Sequence, residues 1–222
     1  MNSDVPAIEG GRPIREQVLG YGGQSITDAE KNAVVDALEG DYITRGPTVE
    51  RFEERVADLV DLDHAVATTS GTTALHLCGR AADLGDGDEV VTTPLTFAST
   101  AHVASYTGAD PVFADVKRST YNLDPDAVRN RVTEDTEALV PMHYAGHPCE
   151  IKPLLEVADD NDLTVVWDAC HAFGGAVGDA SVGSHRDMAI FSFHPVKNIT
   201  TGEGGMVVTD DEAVADRAAR FV

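Results

Sequence analysis

Apolar residues recur at helical spacing early in the chain and as short continuous runs further on. Thr27 and Glu30 form a capping box ahead of a helix that reaches about Leu38, with Gly40 as its stop. The residues before it, 1–25, are glycine-rich and without period, which predicts an N-terminal arm. Pro47 suits the first position of a second helix, where Val49, Phe52, Val56, Leu59 and Val60 recur every three or four residues. After Asp63 strands and helices alternate. The strands are predicted at His64–Thr68, Glu89–Thr93, Pro111–Val116, Ala138–Met142, Leu163–Asp168, Ala189–Phe193 and Met206–Thr209. The helices between them are predicted at Gly71–Ala82, with Leu75, Cys78 and Gly79 inward, and at Phe97–Tyr106, Asp124–Arg131 and Ile151–Asn161. A last helix opens at Thr209 or Asp210 and runs to Val222, with Phe221 and Val222 facing the core. No glycine, proline or polar tail closes it, so the chain is expected to be cut within this helix, ahead of a further domain. Strands that are apolar throughout and alternate with helices predict an α/β fold of three layers, α/β/α, around a mostly parallel sheet.

Composition narrows the function classes. With 222 residues, 42% apolar and 24% charged, the chain has a globular profile and the length to bury a core. Acidic residues number 38 against 16 basic ones, a net charge of −22 that repels a phosphate backbone and argues against nucleic-acid binding. Lysine is scarce: Lys31, Lys117, Lys152 and Lys197 are its four occurrences. The acidity fits a solvated surface; the shortage of lysine favours adaptation to high salt, a halophilic setting. Cys78, Cys149 and Cys170 form no CxxC pair and suit a reducing cytoplasm. The opening residues lack the basic and apolar regions of a signal peptide, and no run approaches the roughly 20 apolar residues of a membrane helix. A cytoplasmic protein without membrane contact is expected.

Three stretches carry chemistry. Ser70, Gly71, Thr72 and Thr73 follow a strand and open a helix, so backbone N–H groups and the helix dipole could hold an anion there; an ordinary capped turn would read the same. Asp168 ends a buried strand, at the sheet edge where open α/β sheets bind ligands, although a helix cap or structural ion pair could also stand there. Lys197 follows the strand that ends near Phe193, beyond the break at Pro195. A lysine amine can lose its proton when desolvated and then form a Schiff base; a surface-loop lysine is the plain alternative. Together, an anion cradle, a carboxylate and an amine on one sheet edge match the phosphate, ring nitrogen and aldehyde of pyridoxal 5'-phosphate (PLP).

These stretches carry a resemblance. From Ile43–Pro47 through Ser70–Leu75, Gly87–Val90, Thr96–Phe97, Met142–Gly146, Asp168–His171, Ser192–Lys197 and Glu203–Gly205, in order, the chain resembles the DegT/StrS family of PLP-dependent sugar aminotransferases, of the aspartate-aminotransferase fold type. The resemblance implies that 26–222 is the PLP-binding large domain, incomplete at its C-terminal end, and that the family's smaller C-terminal domain is missing. It implies that Lys197 forms the Schiff base and shuttles protons. Asp168 would keep the pyridine nitrogen protonated and Phe97 would stack on the ring. His171 would bond the phenolic oxygen, and Gly71, Thr72 and Ser192 would hold the phosphate. The run from Ser192 to Thr200 looks closest to members that aminate UDP-linked 4-keto sugars for surface glycans. The resemblance further implies a nucleotide-sugar substrate, glutamate as amino donor and a homodimer in the full-length form. The alternative is a non-catalytic PLP-binding or regulatory relative, or an inactive truncated fragment.

Other chemistries fail on spacing. His143, His147 and Cys149 invite a metal reading, but Gly146 and Pro148 break the helix that would align them. No GxSxG or GxxxxGK[ST] occurs, and Gly202–Val207 lacks the last glycine of a dinucleotide fingerprint.

Overall fold

A computed structural model describes residues 5–18, 20 and 23–222. In chain order the elements are α1 (Asp28–Glu39), α2 (Pro47–Val60), β1 (His64–Thr68), α3 (Gly71–Ala81), β2 (Glu89–Thr92), α4 (Ala98–Ser105), β3 (Asp110–Phe113), α5 (Pro125–Arg129), β4 (Thr136–Val140), α6 (Ile151–Asp160), β5 (Thr164–Asp168), β6 (Ala176–Val177), β7 (Ala180–Ser181), β8 (Met188–Ser192), β9 (Gly205–Thr209) and α7 (Glu212–Ala219). Seven strands form one sheet in the order β1-β9-β8-β5-β4-β2-β3. β9 is antiparallel to both of its neighbours, β1 and β8, and every other pair is parallel, so β9 alone runs against the rest. The carboxyl ends of β1, β5 and β8 therefore share one edge.

Side chains alternate across the sheet as strand geometry requires. Val165 and Trp167 of β5 enter a core with Val56 and Val60 of α2, Val128 of α5 and Leu154 and Val157 of α6. Val166 enters the opposite core, with Leu75 and Cys78 of α3, Val103 of α4 and Ala215 and Ala218 of α7. The two helical layers expected from the sequence are both present. Asp168, two residues after Val166, projects on the side of α3 and α4. Among the described residues no helix is long and apolar enough to cross a membrane.

Most predicted element ends move by one or two residues, and the N-terminal signals of α1 and α2 hold. Thr27 closes the capping box of α1 with Glu30 and Pro47 opens α2; Asp124, expected as the first residue of a helix, instead caps α5 through the Asp126 amide. Three expectations change. Leu59 faces solvent, because the helical period turns inward only its neighbour Val60. Helix α7 is capped by Asp211, not Thr209 or Asp210, and ends at Ala219 rather than running to Val222. Phe221 is 62% exposed and Val222 is also exposed, because the turn at Arg220 carries them off the face that Ala215 and Ala218 pack against α3. The ladder of β6 with β7 was not anticipated; it joins four residues around a glycine turn. The arm expected over 1–25 lies partly outside the described residues; within it Ala7–Glu9 make a single 3-10 turn.

Candidate active site

The start of α3 is built by its cap. Ser70 Oγ accepts from the Thr73 amide at 3.1 Å, which leaves the first-turn amides of Gly71 and Thr72 without an intrahelical acceptor. Gly71 lies against the end of β8: a Cβ there would stand 3.0 Å from Ser192 Cβ and 3.0 Å from Cys170 Sγ. Thr72 Oγ1 sits 2.7 Å from Ser99 Oγ, tying the first turn of α3 to that of α4. Two helix starts thus converge beside the sheet edge, each with its dipole positive toward the same space.

Asp168 is 2% exposed. Its Oδ2 accepts from Thr100 Oγ1 at 2.6 Å and its Oδ1 from the Cys170 amide at 3.1 Å. A carboxylate offers about four lone-pair sites, so it retains capacity for a further donor. Cys170 itself stays a thiol: burial first, then the negative charge of Asp168, pushes it well above the usual range. Lys197 follows β8 through a turn closed by its own amide on the His194 carbonyl at 2.9 Å. Gln24 of the N-terminal segment holds that turn, donating to the Lys197 carbonyl at 3.3 Å and to the Pro195 carbonyl. Lys31 and Lys117 pair with carboxylates, whereas Lys197 lines a cavity of about 250 Å³.

That cavity brings together six of the seven residues expected from the sequence: Gly71, Thr72, Phe97, Asp168, Ser192 and Lys197. Phe97 is 70% exposed, so it is not a core aromatic. His171 is not in the cavity wall. Its Nδ1 accepts from the Ala145 amide at 3.3 Å and its ring stands edge-on to Tyr144. Burial, then the nearby Lys197 charge, lowers its pKa. Sequence reasoning missed Ser99, Thr100, Met142 and Cys170, which line the same cavity. The signal for Cys170 was available, since an Asp that accepts the amide two residues on is a local turn motif. For Thr100 there was none, because its partner is 68 residues away.

His143 and Cys149, weighed as metal ligands, are core groups. The His143 ring stacks parallel on Trp167 with centroids 5.3 Å apart, and its Nδ1 accepts from the Cys149 amide. Among the described residues no group of three or more His, Cys, Asp or Glu is placed to hold a metal ion.

The residues present fit PLP. Gly71, where a side chain would press tightly on Ser192 and Cys170, lines the cavity with Thr72 and Ser192, which add a first-turn amide and a hydroxyl. Asp168, with spare acceptor capacity, and Lys197, with three donors or a lone pair, line the remainder. The set offers donors suited to an anion, an acceptor suited to a ring N–H and an amine suited to an aldehyde.

Residues 24–222 match the DegT/DnrJ/EryC1/StrS aminotransferase family. The spore coat polysaccharide biosynthesis protein SpsC of Bacillus subtilis is 43% identical over 203 residues, 91% of this chain and 52% of SpsC. The crystal structure of DesI in the presence of its TDP-sugar product is similar with a TM-score of 0.87 at 42% identity, covering 97% of this chain and 55% of DesI. Spr1654 of Streptococcus pneumoniae in its PLP form gives 0.86 at 30% identity, covering 90% and 56%. The chain spans about half the length of the curated relatives it matches.

Proposed function

The chain belongs to the DegT/DnrJ/EryC1/StrS aminotransferase family, and from that premise we propose that it is the cofactor-binding part of an enzyme that moves an amino group from glutamate to a nucleotide-linked keto sugar. The observation that carries the reading is one cavity lined by Asp168, Lys197 and the start of α3. DesI, crystallised with a TDP-sugar product, and SpsC, a polysaccharide biosynthesis protein, support the substrate class and a role in surface-glycan assembly. A UDP-linked 4-keto sugar is the substrate the run from Ser192 to Thr200 favours. Residues 26–222 act as the large domain of a cytoplasmic homodimer; the three free cysteines suit that compartment.

PLP, when bound, supplies an aldehyde that bonds the reacting amine and a protonated ring that withdraws electrons from it. The Gly71 and Thr72 amides and the Ser192 hydroxyl would hold its phosphate, aided by the dipole of α3. The Asp168 carboxylate accepts the ring N–H and so keeps the proton on that nitrogen. Phe97, exposed beside the cavity, would cover a ring face and keep water from it. The resemblance gives His171 the phenolic oxygen as partner, a role it would have to fill from outside the cavity lining with its Nδ1 already accepting from the Ala145 amide. Lys197, whose amine lines the cavity, would be the group that carries the proton between the amine-bearing carbon and the bound cofactor, in either direction of the transfer.

The test is direct. The protein loaded with PLP and reduced with borohydride is expected to carry a pyridoxyl group on Lys197 by peptide mass mapping. Glutamate is expected to convert bound PLP to its amine form, and Lys197→Ala to lose both the adduct and at least a thousandfold in that conversion, the scale of losing a proton-transfer group. An unmodified Lys197 in the PLP-loaded protein would reject the assignment. PLP bound at Lys197 without any conversion by glutamate would favour the non-catalytic relative.

A further inference from the structure

Asp168 is held by a chain of hydroxyls that the reaction as described does not use. Thr100 Oγ1 donates to Asp168 Oδ2 at 2.6 Å, and both residues are buried. Thr96 Oγ1 lies 2.6 Å from Thr100 Oγ1 and 2.8 Å from Met142 Sδ. A hydroxyl has one proton to give. That of Thr100 goes to the carboxylate, so Thr96 donates either to Thr100 or to the thioether. Oxygen is the stronger acceptor, which sets the direction Thr96 to Thr100 to Asp168. Donors in series polarise one another, so the terminal bond to the carboxylate gains strength.

The local sequence builds this alignment. Thr96 precedes Phe97, the extended cap residue of α4, and Thr100 lies in the first turn of that helix, so the chain turning into the helix brings the two hydroxyls together. On its other oxygen Asp168 accepts from the Cys170 amide. The carboxylate is therefore held at both oxygens, with its remaining acceptor capacity at the cavity.

We infer that Thr100, supported by Thr96, is a positioning residue that fixes the orientation and acceptor strength of Asp168, and through it how completely a bound PLP ring nitrogen keeps its proton. The inference rests on the reading of this cavity as a PLP site. A carboxylate already stabilised by a strong donor leaves a shared proton on its partner. Without that donor it draws the proton toward itself or turns away. In either case the ring nitrogen is less fully protonated.

The experiment loads PLP labelled with 15N in the ring onto the wild-type protein and onto Thr100→Val, Thr100→Ser and Thr96→Val. It reads the ring-nitrogen chemical shift and the PLP dissociation constant. Thr100→Val, equal in shape but without the donor, is expected to move the resonance toward that of unprotonated pyridine and to weaken PLP binding about tenfold, the scale of one hydrogen bond to a charged group. Thr100→Ser is expected to keep the wild-type resonance, and Thr96→Val to move it part of the way. A wild-type shift in Thr100→Val, or a shift in Thr100→Ser equal to that of the valine variant, overturns the inference. If Thr100→Val does not fold by circular dichroism, an unmoved resonance in Thr96→Val overturns it. A wild-type protein that takes up no PLP defeats this inference and the functional reading together; uptake with an unmoved resonance defeats the relay alone.

Discussion

A Cβ on Gly205 would stand 2.4 Å from both the carbonyl carbon and the carbonyl oxygen of Ser70, well inside any packed contact. Gly205 pairs with Thr68 of β1 on one side and Ser192 of β8 on the other, so it cannot retreat without opening the sheet. The missing methyl is what lets the turn at Ser70, which opens α3 beside the cavity, settle close over β9. Gly205→Ala is expected to cost about 3 kcal/mol, the upper range for overpacking a tight site, and to weaken PLP binding as well. Urea unfolding followed by circular dichroism measures the first and PLP titration the second. An alanine variant as stable as the parent would show that the turn can move.

At the scale of elements, α2 secures the outer strand. β1 has a single neighbour, β9, so one side of its backbone needs other partners. Glu53 of α2 supplies one, its Oε1 accepting from the Ala67 amide at 2.7 Å. Burial raises the Glu53 pKa, with the Ala67 bond opposing it. A carboxylate whose pKa is raised by folding holds its proton more tightly in the fold than in the open chain. It is therefore a net cost to stability once pH rises past its folded pKa. Glu53→Gln keeps an acceptor oxygen without the charge and is expected to match or slightly exceed the parent in stability at neutral pH. Glu53→Ala leaves the amide unsatisfied and is expected to lose about 1–2 kcal/mol. Denaturant midpoints for the pair decide it, and a glutamine variant as weak as alanine would mean that the charge itself matters.

For the whole molecule two electrostatic loads set the working range. The first is His143, fully buried on Trp167, whose pKa burial lowers from 6.5 to about 3, with the His185 charge adding to the effect. In the unfolded chain this imidazole takes its proton near 6.5, but in the fold only near 3. Between those values the unfolded state binds the extra proton. The contribution is thus complete above 6.5 and declines by up to about 1.4 kcal/mol per pH unit as pH falls toward 3. His143→Phe retains the stacking and is expected to flatten the stability profile between about pH 7 and pH 4, although the fold starts weaker because the Cys149 amide loses its acceptor. An unchanged slope would assign the acid sensitivity to other groups. The second load is the net charge of −22. Screening relieves the repulsion among so many carboxylates, so the melting temperature is expected to rise steadily with added KCl, as a halophilic protein requires. A flat or falling curve would rule out the high-salt reading.

The sequence by itself determined the order of the helices and of the seven strands of the main sheet, the N-terminal signals of α1 and α2, and the placing of Asp168 and the turn from Ser70 to Thr72 at element ends. These follow from local causes: alternation along a strand, the 3.6-residue period, and side chains that bond their own backbone a few residues on. Lys197 stood out by chemistry, as one of four lysines beyond a broken strand. Only the tertiary structure decided that β9 runs reversed between β1 and β8, which sets Ser192 beside Gly71. It alone brought Thr100 to Asp168, placed Cys170 against the start of α3, left His171 outside the cavity wall, and turned Phe221 to solvent. Periodicity reports which side of an element is buried, but not which other element buries it. That choice is made by packing between residues far apart in the chain.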